Sequence, residues 1–412
     1  MISTYHSNAQ LEGVPPSFRQ WQKRCHELGI PPVIAVAGSR GKSTVVRLLQ
    51  AIFDEAHIQS AIWTDFGVEI NGRRQKGEIS GWNRALARLT EDTLDIAVQE
   101  LDWNLVAVIG LPEMTYPISV ITNICTNHPG CLETPEGQIA IRALPRIARA
   151  VHCSGVMCLN GDDHALQLAS QATIARFSIA AKSSLSPALR QRDGLHAPNV
   201  WIDDNDCIVC GSHHLHEQIC AVADIPLSQD GAASFEVSNI LLATAAALST
   251  GIGIELIANA LATFDVSARE LPGSFNVLTK GTIRTVVDRT MPSWFLKPIL
   301  RAANPRSNRR QISVVGGLET LPTDDVYEVG RLLGRTHGAI ICFGEPDDSV
   351  LSRFKRGIAS NEFPPVFVLL PTERRAINKA MQAVRSDDVV LFLTHQDPTP
   401  ALRAVSRMRS GM

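Results

Sequence analysis

A chain of 412 residues with 45% hydrophobic and 19% charged side chains has the composition of a soluble globular protein and is long enough for two or three domains. Its formal net charge of −2 gives no general electrostatic reason to bind nucleic acid or a membrane, so a small molecule or peptide is the expected substrate. Nine cysteines at irregular spacing fit the reduced thiols of a cytoplasmic protein better than a disulfide framework. Met1 to Gln20 holds no basic stretch followed by an apolar core, so no signal peptide is expected, and no apolar run reaches membrane-spanning length.

After an N-terminal extension, residues 1–30, the apolar run Val33-Ile34-Ala35-Val36-Ala37 reads as a buried strand. It leads into Gly38-Ser39-Arg40-Gly41-Lys42-Ser43-Thr44 and then a helix from Ser43 to Ala56. Strand, glycine loop and helix in this order form a phosphate-binding loop. The glycines let backbone N–H groups turn toward phosphate oxygens, and the helix adds its positive end. Lys42 can reach the β/γ-phosphates and the Ser43 hydroxyl can take a place on Mg²⁺, so a nucleoside triphosphate is the expected ligand.

Further strands are expected at Ile96–Val98, Ile118–Thr122 and Gly155–Leu159, and helices at Pro135–Val151 and Ser238–Thr250. This alternation predicts an α/β fold with a doubly wound, mostly parallel sheet. Cys207 and Cys210 with His213, His214 and His216 have zinc-like spacing. However, Val200-Trp201-Ile202, the turn Asp203-Asp204-Asn205 and Cys207 to Cys210 read as a β-hairpin, in which residues three apart point to opposite faces. The pattern resets at Leu271-Pro272-Gly273. The short apolar runs Thr285–Asp288, Ile312–Val315, Ala339–Phe343, Val366–Leu369 and Val389–Leu393 then suit a smaller Rossmann-like domain. The expected domains are therefore 31–270 and 271–412.

The shortened loop Gly38 to Thr44 resembles that of the Mur ligase family, ATP-dependent amide ligases. The resemblance continues through Asp95-Ile96-Ala97-Val98-Gln99-Glu100, then Thr122-Asn123 with Asn127-His128, Leu159-Asn160-Gly161-Asp162-Asp163, and Phe235 with Asn239. In the family these segments hold an Mg²⁺-binding Glu, a metal-contacting His and an adenine-contacting Asn. The resemblance thus implies a central ATP-binding domain with Lys42, Glu100 and His128 as catalytic groups and Ser43, Glu100 and His128 around Mg²⁺. Gly38, Ser39, Arg40, Gly41, Lys42, Ser43, Thr44 and Asn239 are the implied nucleotide contacts, together with Asp288 of the second domain, in the position of the family's ribose-binding Asp. From about residue 30 onward the chain is most similar to the Mur-ligase half of cyanophycin synthetases, and it also resembles poly-γ-glutamate synthase ligase subunits. Neither the ATP-grasp half of the former nor the N-terminal substrate domain of the cell-wall enzymes is expected here.

The chain also departs from the family pattern. The Thr-Ala-Arg-Gly-Gly that follows the metal-binding Glu in cyanophycin synthetases is replaced by Leu101-Asp102-Trp103-Asn104-Leu105, and the Arg of the family's Pro-Gly-Arg-Phe by Ser274. Arg142 stands where several members carry a carbamylated Lys, Arg289-Thr290-Met291-Pro292 follows Asp288 in place of the family's Tyr-Ala-His-Asn, and a basic segment has become Gly317-Leu318-Glu319-Thr320-Leu321. The implied function is an ATP-dependent ligase that activates a carboxylate as an acyl phosphate for attack by an amine, with cyanophycin-like or polyglutamate-like substrates. The alternative is a weakened ATP-binding subunit that scaffolds or regulates a partner ligase. A homo-oligomer or a partner ligase subunit accompanies these readings.

Overall fold

The computed structural model describes residues 32–410 apart from 126–127, 171–175, 192–196, 213–214, 266, 306–308 and 396. The expected N-terminal extension, Asn127, His213 and His214 lie outside the described residues. Two compact units divide the chain, the first ending at Asp265.

The first unit is built on an 11-stranded sheet. Its strands are β1 (Val33–Ala37), β2 (Ser60–Thr64), β3 (Gly67–Ile70), β4 (Arg73–Arg74), β5 (Ile96–Leu101), β6 (Tyr116–Ile121), β7 (Val151–Asn160), β8 (Arg176–Ala181), β9 (Asn199–Ile202), β10 (Cys207–Gly211) and β11 (His216–Ala221). The spatial order is β11-β10-β9-β8-β7-β6-β1-β5-β2-β3-β4, parallel from β9 through β2 and antiparallel at both edges. All five residues of β1 and all six of β6 are buried, which is why these strands read as unbroken apolar runs. The edges were less legible. Arg73 and Arg74 of β4 are exposed, and β11 turns mostly polar side chains outward.

Two helices shape the site. The first, Lys42–Glu55, leaves the sheet at Gly41 and buries Val45, Val46, Leu48, Leu49, Ile52 and Phe53. The second, Ser234–Thr250, is apolar around most of its circumference because it packs on Lys42–Glu55 and on β6 to β9. It starts a full turn before the expected Ser238, so Asn239 sits in the helix interior.

The predicted hairpin is present as β9 and β10, with Cys210 buried and Cys207 partly exposed. Among the described residues the expectation of reduced thiols fails at one place: Cys125 and Cys131 form a disulfide. Both are buried in the loop that follows β6 and the short 3-10 turn Pro129–Cys131, so the fold brings together two thiols whose spacing alone gave no sign of pairing.

The second unit contains a 6-stranded sheet in the order β12-β13-β17-β14-β15-β16. These strands are Asn276–Lys280, Ile283–Arg289, Gln311–Val315, Gly338–Phe343, Val366–Leu370 and Val389–Thr394, numbered β12 to β17 along the chain. β12 pairs antiparallel with β13, and every other pairing in this sheet is parallel. The core gathers Val287, Ile312, Val314, Val390 and Phe392 from the sheet with Ala376, Ile377 and Ala401 from helices. The five predicted runs coincide with β13 to β17, whereas β12, with the partly polar sequence Asn-Val-Leu-Thr-Lys, went unread.

Candidate functional site

Register within the first sheet assembles the site. Ala37 lies beside Leu101 on one side and Ile121 on the other, so Gly38, Glu100 and Thr122 meet where three parallel strands end. The carboxyl ends of such strands are where open α/β sheets bind ligands.

The phosphate loop is held from several directions. Ser39 N–H donates to the Asn123 carbonyl (3.0 Å), and Arg40 N–H donates to Asn123 Oδ1 (3.2 Å). Thr122 Oγ1–H (2.5 Å) and Asn123 Nδ2–H (2.9 Å) both donate to the Arg40 carbonyl. A side chain at Gly38 would strike Thr122 Oγ1, and one at Gly41, where φ is 84°, would strike Asn239. Only glycine fits these closely approached, left-handed positions. Gly41 provides no side-chain cap to the helix after it, leaving first-turn N–H groups without an intrahelical acceptor.

Lys42 and Ser43 converge on Glu100. The Ser43 hydroxyl donates to Glu100 Oε2 (2.9 Å), Lys42 Nζ lies 3.6 Å from Oε1, and the Asp65 N–H donates to Oε2 (3.2 Å). The Glu100 side chain is only 4% exposed. Burial pushes its carboxyl above the usual glutamate range, Lys42 pulls it back, and the Asp65 charge raises it again. Oxygen from Ser43 and Glu100 beside a lysine and a bare helix N-terminus is a donor set that fits Mg²⁺ and a polyphosphate.

The other expected residues fall as follows. Asn239 is buried, donates to Glu236 Oε2 (2.8 Å) and abuts Gly41, so the structure brings it to the phosphate loop from the far end of the first unit's sequence. Thr44 is buried in the first turn of the helix Lys42–Glu55. His128 follows the Thr122-Asn123 grip on the same loop; its N–H donates to the Cys125 carbonyl (3.1 Å) and its carbonyl accepts from Cys131 N–H (3.2 Å). Asp163 fixes the start of that loop by accepting from Ile124 N–H (2.7 Å) and Cys125 N–H (3.0 Å). Asp288 belongs to the second unit, buried at the end of β13, where its Oδ1 accepts from Arg289 N–H (2.7 Å). Sequence reasoning missed Asp65 and Trp103. Trp103 was noted only as a departure, yet its indole Nε1–H donates to Ser39 Oγ (3.3 Å).

A glycine loop between a buried parallel strand and a helix, facing an acid at the end of the neighbouring strand, defines a P-loop α/β nucleotide-binding domain. Residues 36–247 match the Mur ligase middle domain, and the chain belongs to the Mur ligase family. Cyanophycin synthetase of Synechocystis sp. is 26% identical over 385 residues, covering 87% of this chain and 42% of that protein. UDP-N-acetylmuramoyl-tripeptide–D-alanyl-D-alanine ligase of Mycobacterium tuberculosis is 26% identical over 324 residues, covering 74% of this chain and 56% of the relative. The chain therefore spans about two fifths to just over half of the length of these relatives.

Among solved structures, E. coli FolC in complex with DHPP and ADP superposes with a TM-score of 0.62 at 16% identity, covering 97% of this chain and 94% of that chain. The bifunctional folylpolyglutamate synthase/dihydrofolate synthase of Yersinia pestis, complexed with AMPPNP and Mn ion, gives 0.60 at 14% identity, covering 96% and 94%. These likenesses establish the fold.

Proposed function

We propose that this protein is an ATP-dependent amide ligase that activates a carboxylate as an acyl phosphate and passes the acyl group to an amine. The observation that carries the reading is the convergence of Lys42 and Ser43 on the buried Glu100. Lys42 neutralises charge on the phosphoryl group as it transfers, and the loop and first helical turn hold the phosphates by backbone N–H groups. Ser43 and Glu100 hold Mg²⁺, which supplies charge stabilisation when bound, and His128 contributes from the adjoining loop. Asn239 supports the nucleotide side of the loop.

The carboxylate oxygen attacks the γ-phosphorus and ADP leaves. The amine nitrogen then attacks the acyl carbon, phosphate leaves, and the nitrogen sheds a proton to give the amide. Cyanophycin-like or polyglutamate-like peptides are the substrate class, supported by the relatives' names. The test incubates purified protein with MgATP, pooled amino acids and short acidic peptides. Acceptor-dependent ADP release matched by a new amide in the mass spectrum is expected. ADP binding without acceptor-dependent turnover or product would replace the ligase reading with that of a nucleotide-binding subunit.

A further inference from the structure

We propose that Trp103 is a positioning residue for the phosphate loop, orienting the Ser39 hydroxyl so that it donates to a phosphate oxygen of the nucleotide; this rests on the ATP-binding reading above. Trp103 opens the helix Trp103–Ile109, which is fixed at both ends. At its start, Asp102 Oδ1 accepts from Asn104 N–H (2.8 Å) and Leu105 N–H (3.1 Å), an N-cap that sets where the helix begins. At its end, Arg146 Nη1 donates to the carbonyls of Val106 (3.1 Å) and Ala107 (2.6 Å). The indole between these anchors is buried, with Trp103 4% exposed.

The direction of the hydrogen bond to Ser39 follows from chemistry. Indole Nε1–H is a donor only, so at this contact the Ser39 oxygen accepts. The serine backbone is already fixed by its N–H bond to Asn123. With one lone pair engaged by Trp103, the hydroxyl retains its proton for donation, the polarity an anionic phosphate requires. The Leu101-Asp102-Trp103 sequence that replaces the expected glycine-rich continuation of β5 thereby gains a role, because the cap at Asp102 aims the indole at the loop.

The test is a double-mutant cycle on MgATP affinity, measured by calorimetry on the full chain. Trp103→Phe keeps a ring in the pocket and removes the donor; Ser39→Ala removes the hydroxyl. Each single change should weaken binding about fivefold, and the double variant should be no weaker than either single one. Unchanged affinity in Trp103→Phe, or a double variant whose loss is the product of the two single losses, would overturn the inference. An independent readout on the unsubstituted side chain is the Trp103 indole N–H resonance in ¹⁵N spectra. It should move on addition of MgATP and in Ser39→Ala, and its indifference to both would contradict the proposal even if Trp103→Phe failed to fold. Absence of MgATP binding by the parent chain would instead overturn the nucleotide reading, and this inference with it.

Discussion

At the residue scale, the site is organised around the buried carboxylate of Glu100 and the two groups that face it, Lys42 and Ser43. Lys42→Ala removes a phosphate contact and should weaken MgATP binding by roughly 1.5–3 kcal/mol, the range for a hydrogen bond to a charged group. Calorimetry giving the parental affinity would remove Lys42 from the site. Glu100 also makes binding sensitive to pH. Since burial raises its folded-state pKa, the folded protein retains a proton that the unfolded chain has lost between the ordinary and the raised value. Its contribution to stability therefore falls as pH rises through that window. Metal binding needs the carboxylate, so Mg²⁺ affinity should fall on acidification at a pH above the ordinary glutamate range, and Glu100→Gln should abolish that dependence. A pH profile shared by both proteins would assign the titration elsewhere. Lys42 and Ser43 were legible in the sequence because they close a glycine loop that follows a buried strand, and Glu100 because its segment resembles the family's. Trp103 was not, since its partner lies 64 positions away and only the folded loop reveals it.

At the element scale, the helix that begins at Lys42 is tied to the sheet edge as well as to the core. Arg47 makes a two-pronged pair with Glu69 of β3, at 2.7 and 2.6 Å, and both side chains are largely buried. Removing one partner strands the other charge. Glu69→Ala should therefore lower unfolding free energy by about 3 kcal/mol in a denaturant titration, where a surface pair would cost under ~1 kcal/mol. The Cys125–Cys131 bridge closes a short loop around His128, with a sequence separation of 6. Chain-entropy arguments give about 2 kcal/mol for so small a loop. Replacing both cysteines by serine should reduce stability by that order, and equal stability would show that the thiols are not bridged in solution. Elements with two buried faces, such as β1, β6 and β14, were legible as apolar runs. Short edge strands were not, because β4 has two exposed arginines and nothing in its own residues demands pairing.

At the scale of the whole molecule, the expected nucleotide contacts are unevenly distributed. The first unit carries Lys42, Ser43, Glu100 and Asn239 on converging elements, whereas the second carries a single expected nucleotide contact, Asp288. Asp288→Ala should accordingly change ATP affinity less than Lys42→Ala; the reverse ranking would move the main nucleotide contact to the second unit. The two-domain α/β plan was legible because apolar runs and amphipathic stretches alternate along the chain. The contact of Asn239 with Gly41 was not, since it depends on a helix nearly two hundred positions away packing back over the loop. The measurement that tests the ligase reaction most directly follows oxygen. With the acceptor's carboxylate labelled with ¹⁸O, activation as an acyl phosphate predicts that each amide formed releases one phosphate carrying a single ¹⁸O atom. Amide formation with unlabelled phosphate, or phosphate released only by water, would contradict it.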